Sequence, residues 1–159
     1  MHFKEFSQFE EPAFELFKRA HKLVFDKSDG NTEYLERLSP EARLVYQVWN
    51  FDGEIHNGGF DQLFVNSLGD HCTEILSYLN KLGASNSERH LRSAMANFPN
   101  GLVPTSRTQR LEIWLPISDN DAVQDIFGAL NQEFYQYKDN LAKLLHDFVR
   151  SNPKAALEA

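Results

Sequence analysis

A chain of 159 residues with 42% hydrophobic content can bury roughly 70% of the surface its unfolded form exposes, enough for one core without staples. We therefore read residues 1–159 as a single domain. Its 16 basic and 23 acidic side chains give a formal charge of −7, which argues against direct nucleic-acid binding, because that binding relies on Lys and Arg displacing counterions from phosphates. One cysteine, Cys72, excludes an intrachain disulfide and a multi-cysteine zinc site.

The opening Met1-His2-Phe3-Lys4-Glu5-Phe6 carries early charges and lacks the apolar core of a signal peptide. No apolar run approaches the roughly 18 residues a membrane span needs. These features predict a cytoplasmic protein without a membrane partner.

Ala13, Phe17, Ala20 and Val24 recur at helical spacing with Leu16 and Leu23 beside them, while Lys18, Arg19 and Lys22 stay off the stripe. Turn-forming residues from Asp26 to Asn31 predict a loop. Ser39-Pro40-Glu41 starts a second helix: Ser can cap, Pro fits the first turn and Glu suits the positive helix end. Leu44, Val48, Phe51 and Ile55 form its buried face until Asn57-Gly58-Gly59 breaks it. A short helix follows, with Phe60, Leu63, Phe64 and Ser67 on one side and Gln62 and Asn66 on another.

Gly69 begins the next break. Cys72, Ile75, Leu76 and Leu79 then stripe a helix ended by Gly83. Ser85-Asn86-Ser87-Glu88 has the spacing of a capping box, with Leu91, Ala94, Met95 and Phe98 following on one face. Pro104 and Pro116 bracket a short helix from Arg107 to Leu115. Two helices close the chain. One spans about Ser118 to Tyr137 with Val123, Ile126, Phe127, Leu130 and Phe134 inward. The other spans about Lys138 to Ser151 with Leu141, Leu144, Leu145 and Phe148 inward, ended by Asn152-Pro153. No segment alternates with period two between hairpin turns. The expected fold is all-α, an irregular single-domain bundle of about seven to eight helices.

Little in the chain points to catalysis. His56 near Glu54 and Asp61, and His71 beside Cys72, raise a metal-dependent hydrolase. Neither pair, however, has the three- or four-residue spacing that places ligands on one helix face. The plainer expectation is that His56 sits near a helix end and that Cys72 is a core thiol. There is no Gly-x-Ser-x-Gly elbow and no phosphate loop at Gly58-Gly59, which lack a neighbouring Lys. The prediction is a non-enzyme with no cofactor and no metal.

The acidic residues are laid out unevenly. Asp52, Glu54, Asp61, Asp70 and Glu74 fall in a stretch, Leu44 to Asn80, with no Lys or Arg. Glu112, Asp119, Asp121, Asp125 and Glu133 fall in a second such stretch, Leu111 to Tyr137. On the predicted 118–137 helix Asp121 and Asp125 project outward with Gln132 and Gln136, roughly 6 Å apart along the axis. Asp119 and Asp121 are also placed in its first turn, where the helix dipole favours acids whatever their function.

The segment Glu54-Ile55-His56-Asn57-Gly58-Gly59-Phe60-Asp61-Gln62-Leu63-Phe64-Val65-Asn66-Ser67 resembles the signature of a bacterial family, first defined as a domain of unknown function and now named for a DNA-mimic protein. Ala94-Met95-Ala96-Asn97-Phe98-Pro99 and Leu130-Asn131-Gln132-Glu133-Phe134-Tyr135 are similar in kind and order, so the resemblance covers about Leu35 to Pro153. It implies an all-helical dimer whose acids occupy the DNA-binding surface of a transcription regulator or nucleoid protein. Arg89, Arg92, Arg107 and Arg110 make the middle of this chain locally basic, a departure from such a surface.

The partner-binding candidates are accordingly Asp119, Asp121, Asp125 and Glu133, with Asp52, Glu54 and Asp61 as a second patch. Within the signature, Asn57, Gly58 and Gly59 shape a turn, Phe60 and Phe64 fill the core, and Gln62 and Asn66 satisfy nearby backbone groups. A small-ligand or peptide site centred on Asn57 to Asn66 is the alternative reading.

Overall fold

The computed structural model describes residues 11–28 and 32–152. The opening hexapeptide, the last three residues of the predicted 26–31 loop and Pro153 lie outside them. The fold is all-α: among the described residues there are seven α-helices, three short 3-10 segments and no strand. The helices are α1 (Glu11–Ser28), α2 (Pro40–Val65), α3 (Cys72–Lys81), α4 (Ser85–Met95), α5 (Arg107–Ser118), α6 (Asp121–Tyr135) and α7 (Leu141–Ser151).

The chain packs as two compact units, one comprising Met1–Trp49 with Asn140–Ala159 and the other Asn50–Asp139. In the first unit, α1 lies against α7 and against the 3-10 turn Thr32–Arg37. Ala13, Leu16, Ala20 and Val24 are buried on α1, and Leu141, Ala142, Leu145 and Val149 on α7. The larger Phe17 joins a ring cluster with Tyr46 and Trp49. Its centroid lies 5.6 Å from both Tyr46 and Trp49. Leu144 and Phe148, expected inward, are only half-buried because the covered stripe of α7 is centred on Leu145 and Val149. Helix α1 also runs to Ser28, past the expected loop start at Asp26.

Helix α2 starts as its sequence predicts, with Ser39 Oγ accepting from Ala42 N at 3.1 Å. The later part of α2 supplies Phe51, Ile55, Phe60, Leu63 and Phe64 to the core of the second unit, all fully buried. Trp114 of α5, also fully buried, is the centre of that core. Its ring stacks on Phe98 at 5.2 Å and meets Phe64 at 4.9 Å and Phe127 at 5.0 Å. Phe134 of α6 packs edge-on against Phe51 and Phe60 at 5.7 and 5.8 Å. Burying each such ring contributes on the order of 2–3 kcal/mol.

Several predicted boundaries move. Helix α5 continues to Ser118 with Pro116 inside it; the missing N–H falls in its last turn, where little ladder remains to break. Helix α6 starts later than predicted, capped by Asn120, whose Oδ1 accepts from Ala122 N at 2.9 Å. Asp119 is thus the C-terminal cap residue that follows α5, not part of the first turn of α6. Ile126, expected inward, is 53% exposed because the buried stripe of α6 runs through Phe127, Leu130 and Phe134, narrower than the periodicity suggested. Ser67, expected beside Phe60 and Leu63, is exposed since α2 stops at Val65.

The capping box at Ser85 to Glu88 does not form. Ala84 occupies the cap position, and Ser85 is already helical. The role passes to Asp139, whose carboxylate accepts from Ser87 N at 2.7 Å and from Asn86 Nδ2 at 2.9 Å. Glu88 instead bonds Arg92 at 2.8 Å and Asn80 at 3.1 Å.

Candidate functional site

The signature segment is a kinked helix. Gly59 has φ 72° and ψ −171°, a combination only glycine tolerates without strain, and a Cβ there would collide with the side-chain amide of Asn131. Asn57 and Gly58 remain helical and exposed, so the break predicted over three residues is confined to one. The kink frees the N–H of Phe60 from the ladder, and Asn131 Oδ1 of α6 accepts from it at 3.0 Å. One turn later in α6, Tyr135 donates its hydroxyl to Ile55 O at 3.0 Å. Helix α6 is thereby bonded to α2 on both sides of the bend.

A second set of bonds clamps the two arms of the kink. Glu54 accepts from Gln62 Nε2 at 2.6 Å and from Asn66 Nδ2 at 3.0 Å. Asp61 accepts from the indole N–H of Trp114 at 2.8 Å. Asp52 accepts from the Tyr137 hydroxyl at 2.8 Å and faces His56 Nδ1 at 3.2 Å. The side-chain hydrogen bond to Asp52 holds the His56 pKa above its ordinary value of 6.5, against an opposing effect of burial. Asp52, Glu54 and Asp61 therefore each have an internal partner, and Gln62 and Asn66 direct their side-chain amides at the Glu54 carboxylate where backbone groups were the expected partners.

Beneath the end of α2 lies a fully buried guanidinium. Arg110 Nε donates to Phe64 O at 2.7 Å, Nη2 to Asn66 O at 2.9 Å and Nη1 to Pro104 O at 2.9 Å. Nη1 also pairs with Asp70 at 2.7 Å. Carbonyls left open where α2 stops are thus met by one side chain. Gly69 is buried directly against it, and a Cβ there would press on Arg110 Nε and Leu63 O. Cys72, 2% exposed, is a core thiol pushed up to about 12 by burial.

The remaining acids divide sharply. Glu133 is exposed but pairs with His90 at 3.2 Å and Arg89 at 3.8 Å. Asp119, Asp121, Asp125 and Glu112 are exposed on α5, α6 and the junction between these two packed helices. None of the four carboxylates has a hydrogen bond or ion pair among the described residues. Of the four arginines of the middle region, Arg110 is buried, Arg92 pairs with Glu88, Arg89 with Glu133, and Arg107 Nε bonds Val65 O. Among the described residues, no group of three or more His, Cys, Asp or Glu is arranged to hold a metal ion.

The kink, its Asn131 bond and its carboxylate clamp are built from the segments that carry the family resemblance. The family model described as DMP19-like protein matches residues 36–152. This chain belongs to the DMP19-like protein family. Neither the curated proteins nor the solved structures searched include a match to it. For this DMP19-like chain the signature reads as architecture: Gly59 makes the bend, Phe60 and Phe64 fill the core below it, and Glu54, Gln62, Asn66 and Asn131 hold its shape.

Three residues central to that arrangement escaped the sequence reading. In the sequence Arg110 adds to a locally basic middle region, although it shares a helix face with Trp114 four residues on, the one local sign of burial. Asn131 and Asp139 act on elements more than fifty residues away, and no local pattern announces such pairings.

Proposed function

We propose that this DMP19-like chain is a non-enzymatic protein-binding module whose α5–α6 carboxylates engage the basic DNA-binding surface of a transcription regulator or nucleoid protein in place of DNA. The observation that carries this reading is the contrast among the acids. Asp52, Glu54, Asp61, Asp70, Glu88, Glu133 and Asp139 are committed to bonds within the fold. Glu112, Asp119, Asp121 and Asp125 are not. Uncommitted carboxylates on a rigid helix pair offer fixed negative charge that a cationic surface neutralises without first breaking internal bonds. Asp121, in the first turn of α6, additionally stabilises that helix by roughly 0.3–1 kcal/mol through the dipole.

The test is capture of a partner by the immobilised protein, with duplex DNA and added salt as competitors. A captured protein should itself bind duplex DNA, should be displaced by it, and should be lost steeply as salt rises, because mimicry inherits the electrostatic character of DNA binding. The double variant Asp121→Lys with Asp125→Lys should abolish capture at low salt while leaving the helical circular dichroism unchanged. Capture that survives both DNA competition and the double charge reversal overturns the reading.

A further inference from the structure

Helix α5 is apolar on nearly all sides, yet the fold covers only one of them. At roughly 100° per residue, Leu111, Ile113, Trp114, Leu115 and Ile117 point around the whole turn, and of these only Trp114 is buried. A helix that is apolar all round ordinarily lies inside a protein. Leu115 is instead 50% exposed, and Leu111, Ile113 and Ile117 are only half-buried. On α6 the buried stripe of Phe127, Leu130 and Phe134 leaves Ala122, Ile126 and Ala129 open beside it, in one row along the helix. The rings of Trp114 and Phe127 lie 5.0 Å apart. Leu115, one residue after Trp114, and Ile126, one residue before Phe127, therefore belong to the same end of one helix pair. Gln124 Nε2 donates to Ser118 O at 3.1 Å and braces that end.

Carboxylates frame these open apolar side chains. Glu112 stands three residues before Leu115 and Asp119 four residues after it, which puts the three on one face of α5. Asp121 and Asp125 each precede a member of the open row of α6. From Leu111 to Tyr137 there is no Lys or Arg. The acid frame decides what can cover the face. A second copy would set four unanswered carboxylates against four more, and like charges facing each other across an interface oppose its formation. Nucleic acid is repelled for the same reason. A protein surface with apolar side chains at its centre and Lys or Arg around them answers both features at once.

We propose that the α5–α6 face docks a cationic amphipathic segment of a partner protein, whose apolar side chains cover Leu115 and Ile126 and whose Lys or Arg answer Glu112, Asp119, Asp121 and Asp125. This inference rests on the partner-binding reading. It adds what the open acids alone do not require: discrimination against a partner that is cationic without being apolar.

The probes are two synthetic peptides of equal charge, one with Leu and Lys at helical spacing and the other with every Leu replaced by Gln, titrated into the full chain by calorimetry. The amphipathic peptide should bind about tenfold more tightly or better, as expected when apolar side chains leave water at an interface. Leu115→Ser with Ile126→Ser should bring its affinity down to that of the Gln peptide, and should leave the Gln peptide, the helical circular dichroism and the sedimentation mass unchanged. Asp121→Lys with Asp125→Lys should weaken both peptides. Equal binding of the two peptides, or none, overturns the inference. So does a serine pair that leaves the preference intact, or one that dissolves a dimer, since the face would then belong to a second copy. Where the charge reversal acts and the serine pair does not, the partner-binding reading stands without this one; where the charge reversal changes nothing, both fall.

Discussion

Arg110 has no solvent exposure, and three backbone carbonyls and Asp70 converge on it. A buried charge of this kind is costly to bring out of water and costlier to leave half-satisfied. Arg110→Met should therefore lose about 3–5 kcal/mol, read as a lower urea midpoint with an unchanged slope. Lys in its place should recover only part of the loss, since a point charge cannot reach four acceptors in a plane. A loss below about 1 kcal/mol would mean that water enters and replaces the guanidinium. In the sequence only its helical spacing to Trp114 sets Arg110 apart from Arg89 and Arg92, because what buries it is the stop of α2 some forty residues earlier in the chain.

At the scale of helices, starts fixed by adjacent residues were legible and starts fixed by distant ones were not. Ser39 caps α2 because donor and acceptor are three residues apart, and any chain carrying Ser-Pro-Glu there offers the same bond. The start of α4 carries an equally good local pattern, yet Asp139 takes it. Its ionised carboxylate holds both Ser87 N and Asn86 Nδ2, and a charged acceptor outcompetes a hydroxyl. Asp139→Ala should thus cost about 1–2 kcal/mol, a value typical for removing a good cap, whereas Ser85→Ala should change stability by less than about 0.5 kcal/mol. Thermal unfolding of the two variants side by side checks this; equal losses would restore the local capping box. Helix α6 makes the same point through Ile126, which lies on the predicted apolar stripe but is 53% exposed, beside the buried stripe of Phe127, Leu130 and Phe134.

Across the whole molecule, three histidines give opposite responses to pH. Burial pushes His90 and His146 below 6.5, the first against the pull of Glu133 and the second with the help of Arg150. For these two the unfolded chain takes up protons first. Their neutral burial therefore costs nothing above 6.5, and stability falls as pH drops from 6.5 toward their folded values. His56 is raised, so its contribution is complete below 6.5 and fades as pH rises through its folded value. The melting temperature should pass through a maximum near neutrality and decline toward pH 5. His90→Gln and His146→Gln should each flatten the acid limb and leave the alkaline one unchanged. An acid limb in both variants identical to that of the unsubstituted protein would assign the loss to carboxylates instead.

Apolar spacing, glycine placement and the Ser39 cap suffice to specify an all-α chain, the order of its helices and a break within Asn57-Gly58-Gly59, because each of those depends on groups within a few residues of one another. The family, too, was readable from the signature and its flanking segments. Which acids stay open to a partner was decided only by tertiary structure. Asp52, Glu54 and Asp61 look as available in the sequence as Asp121 and Asp125, and differ because Tyr137 and Trp114 arrive from distant elements and the bend at Gly59 brings Gln62 and Asn66 back onto Glu54. A side chain's charge belongs to its own residue, but whether that charge is already answered depends on what the fold brings beside it.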